Sequence, residues 1–480
     1  MRPTERAVSL GIALWLTAVI SIFCCRSLAQ EQPPTTQGAA TTSDAEWRQR
    51  MESRVKQLED ENRELRKDVN EVHDTQQSVM KDAESHGLIT FESGEPHLTT
   101  PDFFDVNKFA AQGDWPGSFR IPGTKTSIQL GGYVQLDALF DSDRIGNKDS
   151  FVVNTIETGG PKTGAGDSNF SIRQTRLFLK TQTPTQNWGN LVTYIEIDFF
   201  GTDGAEPRVR HIYGQIGDKF QILTGQTFSA FQDATVFPAT LDAQGPAGMV
   251  NSRRPQIRFR QQWSDEWATI ESVEDPTSEL TTPAGDAGED ATPYPDLDAN
   301  VRWTPSWGHL QLAGVLRYLQ FDPDVGHRES KVGYGFNFTG SVKTFRVDDK
   351  HIDAILFQFA DGNGIARYIN DTSGLGLDAV LPAPGASLDG LNALAGMIAY
   401  QHWWHPKWAS TVCYSIVDIT NSWAEPGSDY HSGQYIVVNL RFYPVDRVLL
   451  GGEVLYGVRE NKDESKGDDV RMQFSAQYKF

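Results

Sequence analysis

The chain has 480 residues, a formal net charge of −20, 39% hydrophobic and 11% aromatic residues, and 3 Cys. An acidic balance of this size argues against nucleic acid as a partner, and three cysteines exclude a disulfide scaffold. The mean hydropathy of −0.43 does not exclude a membrane protein, because a barrel that alternates apolar and polar residues averages to such a value.

Residues 1–29 read as a secretory signal. Arg2 and Arg6 precede "VSLGIALWLTAVISIF", which carries no charge and falls short of the ~20 residues a spanning helix needs. "SLA" then offers cleavage after Ala29. Cys24 and Cys25 lack the small residues that precede a lipidated cysteine, and their removal leaves Cys413 alone. Loss of three Arg and one Glu with the signal takes the mature chain to about −22.

Residues 30–43 are a polar linker, and a heptad pattern occupies 44–85. Met51, Leu58, Leu65, Val72 and Val79 fall at d; Val55, Asn62, Val69 and Gln76 fall at a. Arg54 faces Glu59 and Glu61 faces Arg66 as opposite charges at g and the following e, which favours parallel self-association. Val at a with Leu at d pulls toward two strands, so the pattern leaves the copy number open. A second linker, 86–125, leads to the region 126–480.

From Thr126 to Phe480 the period becomes two. Sixteen strand-like runs follow: 126–140, 169–181, 189–200, 207–216, 219–227, 255–263, 267–275, 296–304, 308–321, 331–345, 350–361, 392–404, 408–418, 433–443, 447–459 and 468–480. Long connections (141–168, 228–254, 276–295, 362–391, 419–432) alternate with tight ones such as "GD", "SDE", "PSW", "VDD", "HPK" and "PVD". Trp188, Trp263, Trp267, Trp303, Trp307, Trp403, Trp404 and Trp408 flank the tight turns, eight of the 12 Trp, as an interfacial girdle would. The terminal "RMQFSAQYKF" has Val470, Met472, Phe474, Ala476, Tyr478 and Phe480 on one face and Arg471, Gln473, Ser475, Gln477 and Lys479 on the other. This is an all-β transmembrane barrel of 16 antiparallel strands behind a periplasmic helical coiled coil, placed in a Gram-negative-type outer membrane. A terminal Phe480 on an alternating strand fits delivery to the barrel assembly machinery.

The wet faces point into the lumen. They carry Arg176 and Lys180, Glu196 and Asp198, Arg208 and Arg210, Arg258 and Arg260, then Arg302, Arg317, Asn439 and Arg441. Bases outnumber acids among these, and the acidic excess is expected on the coiled coil and outer loops. Arg253 and Arg254 close the 27-residue loop 228–254, which is expected to fold inward and narrow the pore. Arg clusters match carboxylate and phosphate geometry, and basic rings favour anions. The structural alternative is a ladder of Arg and Glu that only braces the wall.

The stretches "PGSFRIPGTKTSIQLGGYVQLDALFD", "RQTRLFLKT", "EIDFFG", "RVRHIYGQIG", "LTGQTFSAFQD", "RRPQIRF", "GNGIARYIND" and "YQHWWHPKWASTVCYS" resemble the DcaP-like, dicarboxylate-type outer-membrane porins across 117–480. The resemblance implies a homotrimer with a periplasmic helical extension, passing small anionic solutes. It carries Arg176, Arg208, Arg210, Arg258 and Arg260 over as lumen residues. A phosphate-type anion porin and a structural or adhesive barrel without conductance are the rival readings.

No nucleophile–base motif, metal site or cofactor motif emerges. "DSDRIGNKD" sets Ile145 where a calcium loop needs an oxygen ligand. "GGPKTGAG" misplaces the phosphate-loop lysine, and His402 and His405 bracket a tight turn as interfacial residues. The expected partners are anionic solutes, outer-membrane lipids and further copies of the chain.

Overall fold

The computed structural model describes residues 49, 51–67, 69–70, 89–92, 95–98, 112–160, 166–282, 288–324 and 326–480, in two compact units, Met1–Phe103 and Phe104–Phe480. In the first unit residues 51–67 are helical. Arg54 donates to Gln57 and Gln57 to Glu61 along one face. The heptad positions Met51, Val55, Leu58, Leu65 and Val69 are all exposed on the single chain. Ile89–Glu92 and Glu95–Leu98 form a two-stranded hairpin. The signal, the first linker and the heptad positions Val72, Gln76 and Val79 lie outside the described residues.

The second unit is a closed antiparallel barrel. Among the described residues its sixteen long strands are β1 (Ser127–Asp141), β2 (Arg176–Pro184), β3 (Asn190–Asp198), β4 (Arg208–Gly217), β5 (Phe220–Phe228), β6 (Arg253–Gln262), β7 (Trp267–Glu274), β8 (Asp296–Trp303), β9 (Gly308–Pro323), β10 (Glu329–Arg346), β11 (Ile352–Asn363), β12 (Asn392–His405), β13 (Trp408–Thr420), β14 (Tyr430–Phe442), β15 (Val448–Asn461) and β16 (Lys466–Lys479). Closure comes from β16 on β1, with Arg471 opposite Asp141 and Lys479 opposite Tyr133. It leaves no strand edge in lipid.

On β1 the alternation separates exposed Leu130, Val134, Leu136 and Phe140 from buried Gln135, Asp137 and Leu139. Trp188, Trp263, Trp267, Trp307, Trp404 and Trp408 are exposed at the tight-turn end, and Trp267 stacks on Trp303 at 5.8 Å. The run read as 169–181 is two pieces, Ser168–Ser171 and β2, because the chain turns at 172–175 and Gln174 donates inward to the Leu241 carbonyl.

The wall is uneven. Strands β2 to β8 have 8 to 10 residues each, whereas β9 to β16 have 12 to 18. The tall half is lined inside by small and apolar residues, including Val315, Leu356, Ala360, Ala393, Ala395, Ala399, Val417, Tyr435 and Leu455, all buried. They are dry because three loops fold in on them. Phe151, Val153 and Ile156 come from the β1–β2 loop; Phe231, Val236, Met249 and Val250 from the β5–β6 loop; Ile365, Tyr368 and Ile369 from the β11–β12 loop. Each large side chain buried this way contributes ~1.5–3 kcal/mol. The barrel therefore has a hydrophobic core on the inside of one wall, in addition to its apolar outer belt.

The β5–β6 loop crosses the lumen as extended backbone with few partners of its own, so its polar groups must be met by the wall. Asn300, Asn337, Gln358, Asn439 and Gln473, on five different strands, donate to the carbonyls of Ala230, Phe231, Gly248, Ala239 and Leu241 at 2.7–2.9 Å. Glu274 accepts from the Ala230 N–H, Ser415 from Gly248, and Glu453 from both Leu241 and Asp242, each at 2.8 Å. At Gly248 a Cβ would stand 2.0 Å from the Ile416 carbonyl oxygen, so only glycine permits this approach.

Acids on the inner wall are not few, against the expectation from the sequence. Asp137, Asp141, Glu196, Asp198, Glu274, Asp296, Asp298, Asp353 and Glu453 are all buried or half-buried there. The alternation counted charges per face but not the folded-in loops whose N–H groups, with wall arginines, engage many of these carboxylates.

Candidate functional site

The open part of the lumen lies against the low half of the wall. A cavity of about 690 Å³ is bounded by Tyr133, Gln135, Arg176, Arg208, Arg210, Phe228 and Arg253 on one side, by Arg441 and Lys479 on another, and by Phe237, Pro238 and 240–244 of the folded-in loop. Six cations border it.

These cations are not equivalent. Arg208 makes a two-pronged pair with Asp198, Nε–Oδ1 3.0 Å and Nη2–Oδ2 2.7 Å. Arg210 bonds Glu196 at 2.7 Å and the same Asp198 at 3.0 Å. A bulge where β3 meets β4, between Glu196 and Ile197, turns Arg210 inward next to His211. Both guanidiniums are therefore half-neutralised from behind. Arg176 and Arg253 form no ion pair with a carboxylate among the described residues. Arg176 lies 5.7 Å from the Tyr133 ring centre with a buried Nε–H that no described residue accepts. Arg253 lies 5.8 Å from that of Phe228. Arg441 reaches only hydroxyls, Tyr443 at 3.2 Å and Thr411 at 3.1 Å. Neither Arg253 nor Lys479 has a side-chain ion pair among the described residues.

The remaining candidates fall elsewhere. Lys180 sits toward the tight-turn end, 4.9 Å from the ring of Trp115, which bonds Gln129. Arg258 bonds Gln256 and the Phe228 carbonyl, and Arg260 bonds Gln262; neither borders the cavity. Arg302 binds Asp233 at 3.0 Å and Thr235 at 2.9 Å, fastening the loop. Arg254 is 1% exposed, stacked 4.2 Å from the Tyr368 ring centre and bonded to the Asp275 carbonyl, so it is a packing residue beneath the folded-in loops and does not border the cavity. Arg317 is likewise buried, between Asp296 and Asp378. The expected grouping of Arg208 and Arg210 with Arg258 and Arg260 is replaced by one of Arg176, Arg208, Arg210 and Arg253. Alternation does not say how high on its strand a residue stands. Lys479 and Tyr133 were reachable from the alternation of the last and first strands; Phe228 and Phe237 carried no such signal.

Two loop carboxylates have shifted protonation. Burial would raise Asp233, but the His309 hydrogen bond at 2.8 Å and the nearby Arg302 outweigh it and hold the carboxyl well below its ordinary range. Burial pushes Asp371 up to about 6, although Tyr430 donates to it at 2.6 Å.

A sixteen-stranded antiparallel barrel with a lipid-facing apolar belt, an aromatic girdle and a loop folded across its lumen is an outer-membrane porin. Residues 111–480 match the family described as DcaP outer membrane protein, and the chain belongs to that family. Among solved structures it is similar in fold to the outer membrane channel DcaP of Acinetobacter baumannii, at 22% identity over 74% of this chain and 97% of that one, with a TM-score of 0.63. OmpT of Vibrio cholerae (10% identity, 74% and 98% covered, TM-score 0.46) and an anion-selective porin from Comamonas acidovorans (10%, 74% and 100%, 0.48) are also similar. No curated protein matches in sequence.

Proposed function

We propose that this porin passes small anionic solutes, dicarboxylates among them, through the arginine-lined constriction. The observation that carries the reading is the pair Arg176 and Arg253, two guanidiniums at the cavity that form no ion pair with a carboxylate among the described residues. A charge pair 4 Å apart is worth ~4 kcal/mol at an effective dielectric of about 20 and ~1 kcal/mol in water. Loop and helix carboxylates beyond a Debye length of ~8 Å are screened from the constriction. A net negative chain is therefore compatible with an anion-preferring pore.

The reading includes a homotrimer with the helix in the periplasm. Five apolar heptad positions lie exposed along 51–69, a seam that self-association would cover. Within the barrel unit, the residues just before β1 lie at the tight-turn end, where Trp115 bonds Gln129 and its ring lies 4.9 Å from Lys180. Proteoliposome swelling tests the substrate class. A four-carbon dicarboxylate should enter faster than a neutral sugar of similar size; equal or slower entry refutes the reading.

A further inference from the structure

Beside the arginine constriction the low wall carries a second, smaller cavity of about 320 Å³, bounded by Arg176, Tyr194, His211, Tyr213 and Phe228, with Glu196 and Arg210, which pair with each other at 2.7 Å, along its edge. Its rings form a continuous set. Tyr194 and Tyr213 centre at 5.6 Å and 35°, Tyr194 and His211 at 6.1 Å, His211 and Phe228 at 4.7 Å edge-to-face. Phe178 extends the row, stacked on Tyr194 at 5.8 Å. The rings are held in place: the Tyr194 hydroxyl donates to Glu196 at 2.7 Å, and His211 Nδ1 lies 3.0 Å from the Thr227 hydroxyl.

Where the aromatics go differs between the two halves of the barrel. Against the tall wall, Tyr435 and the loop rings Phe151, Phe231 and Tyr368 are packed together and at most 1% exposed. Phe178, Tyr194, Tyr213 and Phe228 are only partly buried. Partly exposed apolar ring faces, next to an Arg176 Nε–H that no described residue accepts, fit a ligand with a flat ring and an anionic group. Edge-to-face and offset ring pairs centre 4.5–7 Å apart, so a ring entering this pocket can stack on several neighbours at once. A pocket near 300 Å³ has room for one small ring.

We propose that this pocket is a subsite for aromatic carboxylates: the ring lies among Tyr194, Tyr213 and Phe228 while the carboxylate bridges Arg176 and Arg253. The inference rests on the anion pore proposed above and adds to it a preference for ring-bearing anions over aliphatic ones of equal charge.

Single-channel recordings with added benzene-1,2-dicarboxylate, cyclohexane-1,2-dicarboxylate and butanedioate test it. All three are dianions, and the first two differ mainly in the flatness of the ring. In the wild-type pore the aromatic dianion should dwell about tenfold longer than either other, the scale of one to two good ring contacts. In Tyr213→Leu that ratio should fall toward one. Equal dwell times for the three dianions in the wild-type pore overturn the proposal even if the pore prefers anions. A Tyr213→Leu pore that shortens all three dwell times by the same factor overturns it as well. A pore without anion preference defeats instead the reading on which it rests. The wild-type comparison stands whether or not the variant folds.

Discussion

Glu453 on β15 fastens the folded-in loop at Leu241 and Asp242, and replacing it by Ala should widen the pore. Its two oxygens accept the Leu241 and Asp242 N–H groups at 2.8 Å each, and one also accepts from Asn439. Asp242 in turn accepts the Phe151 N–H of the β1–β2 loop at 2.9 Å, so the two loops are fastened in series. Each buried N–H left without an acceptor costs ~1–3 kcal/mol. Two such groups cost about 2–6 kcal/mol, partly offset because a carboxylate no longer has to be buried. Local detachment around 239–245 then becomes ~10–1000 times more populated, at about 1.4 kcal/mol per decade. Glu453→Gln keeps one acceptor and should fall between wild type and Ala. Single-channel recording should show higher mean conductance and more open-channel noise in Glu453→Ala than in wild type. Unchanged conductance and noise in a correctly folded Glu453→Ala barrel would refute the idea that this carboxylate pins the loop.

Further outcomes follow from the same contacts. Arg208→Glu places a third carboxylate against Asp198 and Glu196 and removes a two-pronged ion pair, so its heat-modified band should appear at a lower temperature than in wild type, whereas Arg176→Glu, which removes no direct ion pair, should lower it less. Asp371, pushed up to about 6 by burial, keeps a proton that the unfolded chain releases near pH 4. Stability should therefore fall as pH rises from about 4 to 6 and level off above, by up to ~3 kcal/mol; thermal transitions at pH 5 and 7.5 should show the drop, and Asp371→Asn should abolish it. Removing 44–85 should leave the oligomer intact in detergent but less heat-stable; clean monomers would show that the helix, not the barrel, sets the assembly.

Strand positions were legible in the chain because a half-buried strand writes its period of two locally. Even the inward Arg208 and Arg210 could be read that way, although a bulge delivers the second. The folded-in loops were legible only as unusual length and composition. Their partners are remote: Glu453 meets Leu241 across 212 positions, and nothing in "GGEVLYG" announces that its acid serves a loop backbone. The clearest clue was "NALAGMIAY" on β12, where small and apolar residues occupy both faces. A lipid-facing strand with a wet inner face would not look so, and Ala393, Ala395, Met397 and Ala399 prove to be buried on the inside. Which arginines remain unpaired was not legible either, because it depends on strand height and on Asp198 standing between Arg208 and Arg210.

The central claim is that Arg176 and Arg253, which form no ion pair among the described residues, set the charge preference of the pore. The most direct test is the reversal potential in planar bilayers under a potassium chloride gradient, for wild type and for the Arg176→Glu, Arg253→Glu double variant. The wild-type potential should lie toward the chloride equilibrium value and the double variant should cross toward that of potassium. A cation-preferring wild-type pore, or a double variant with an unmoved potential, would contradict the account.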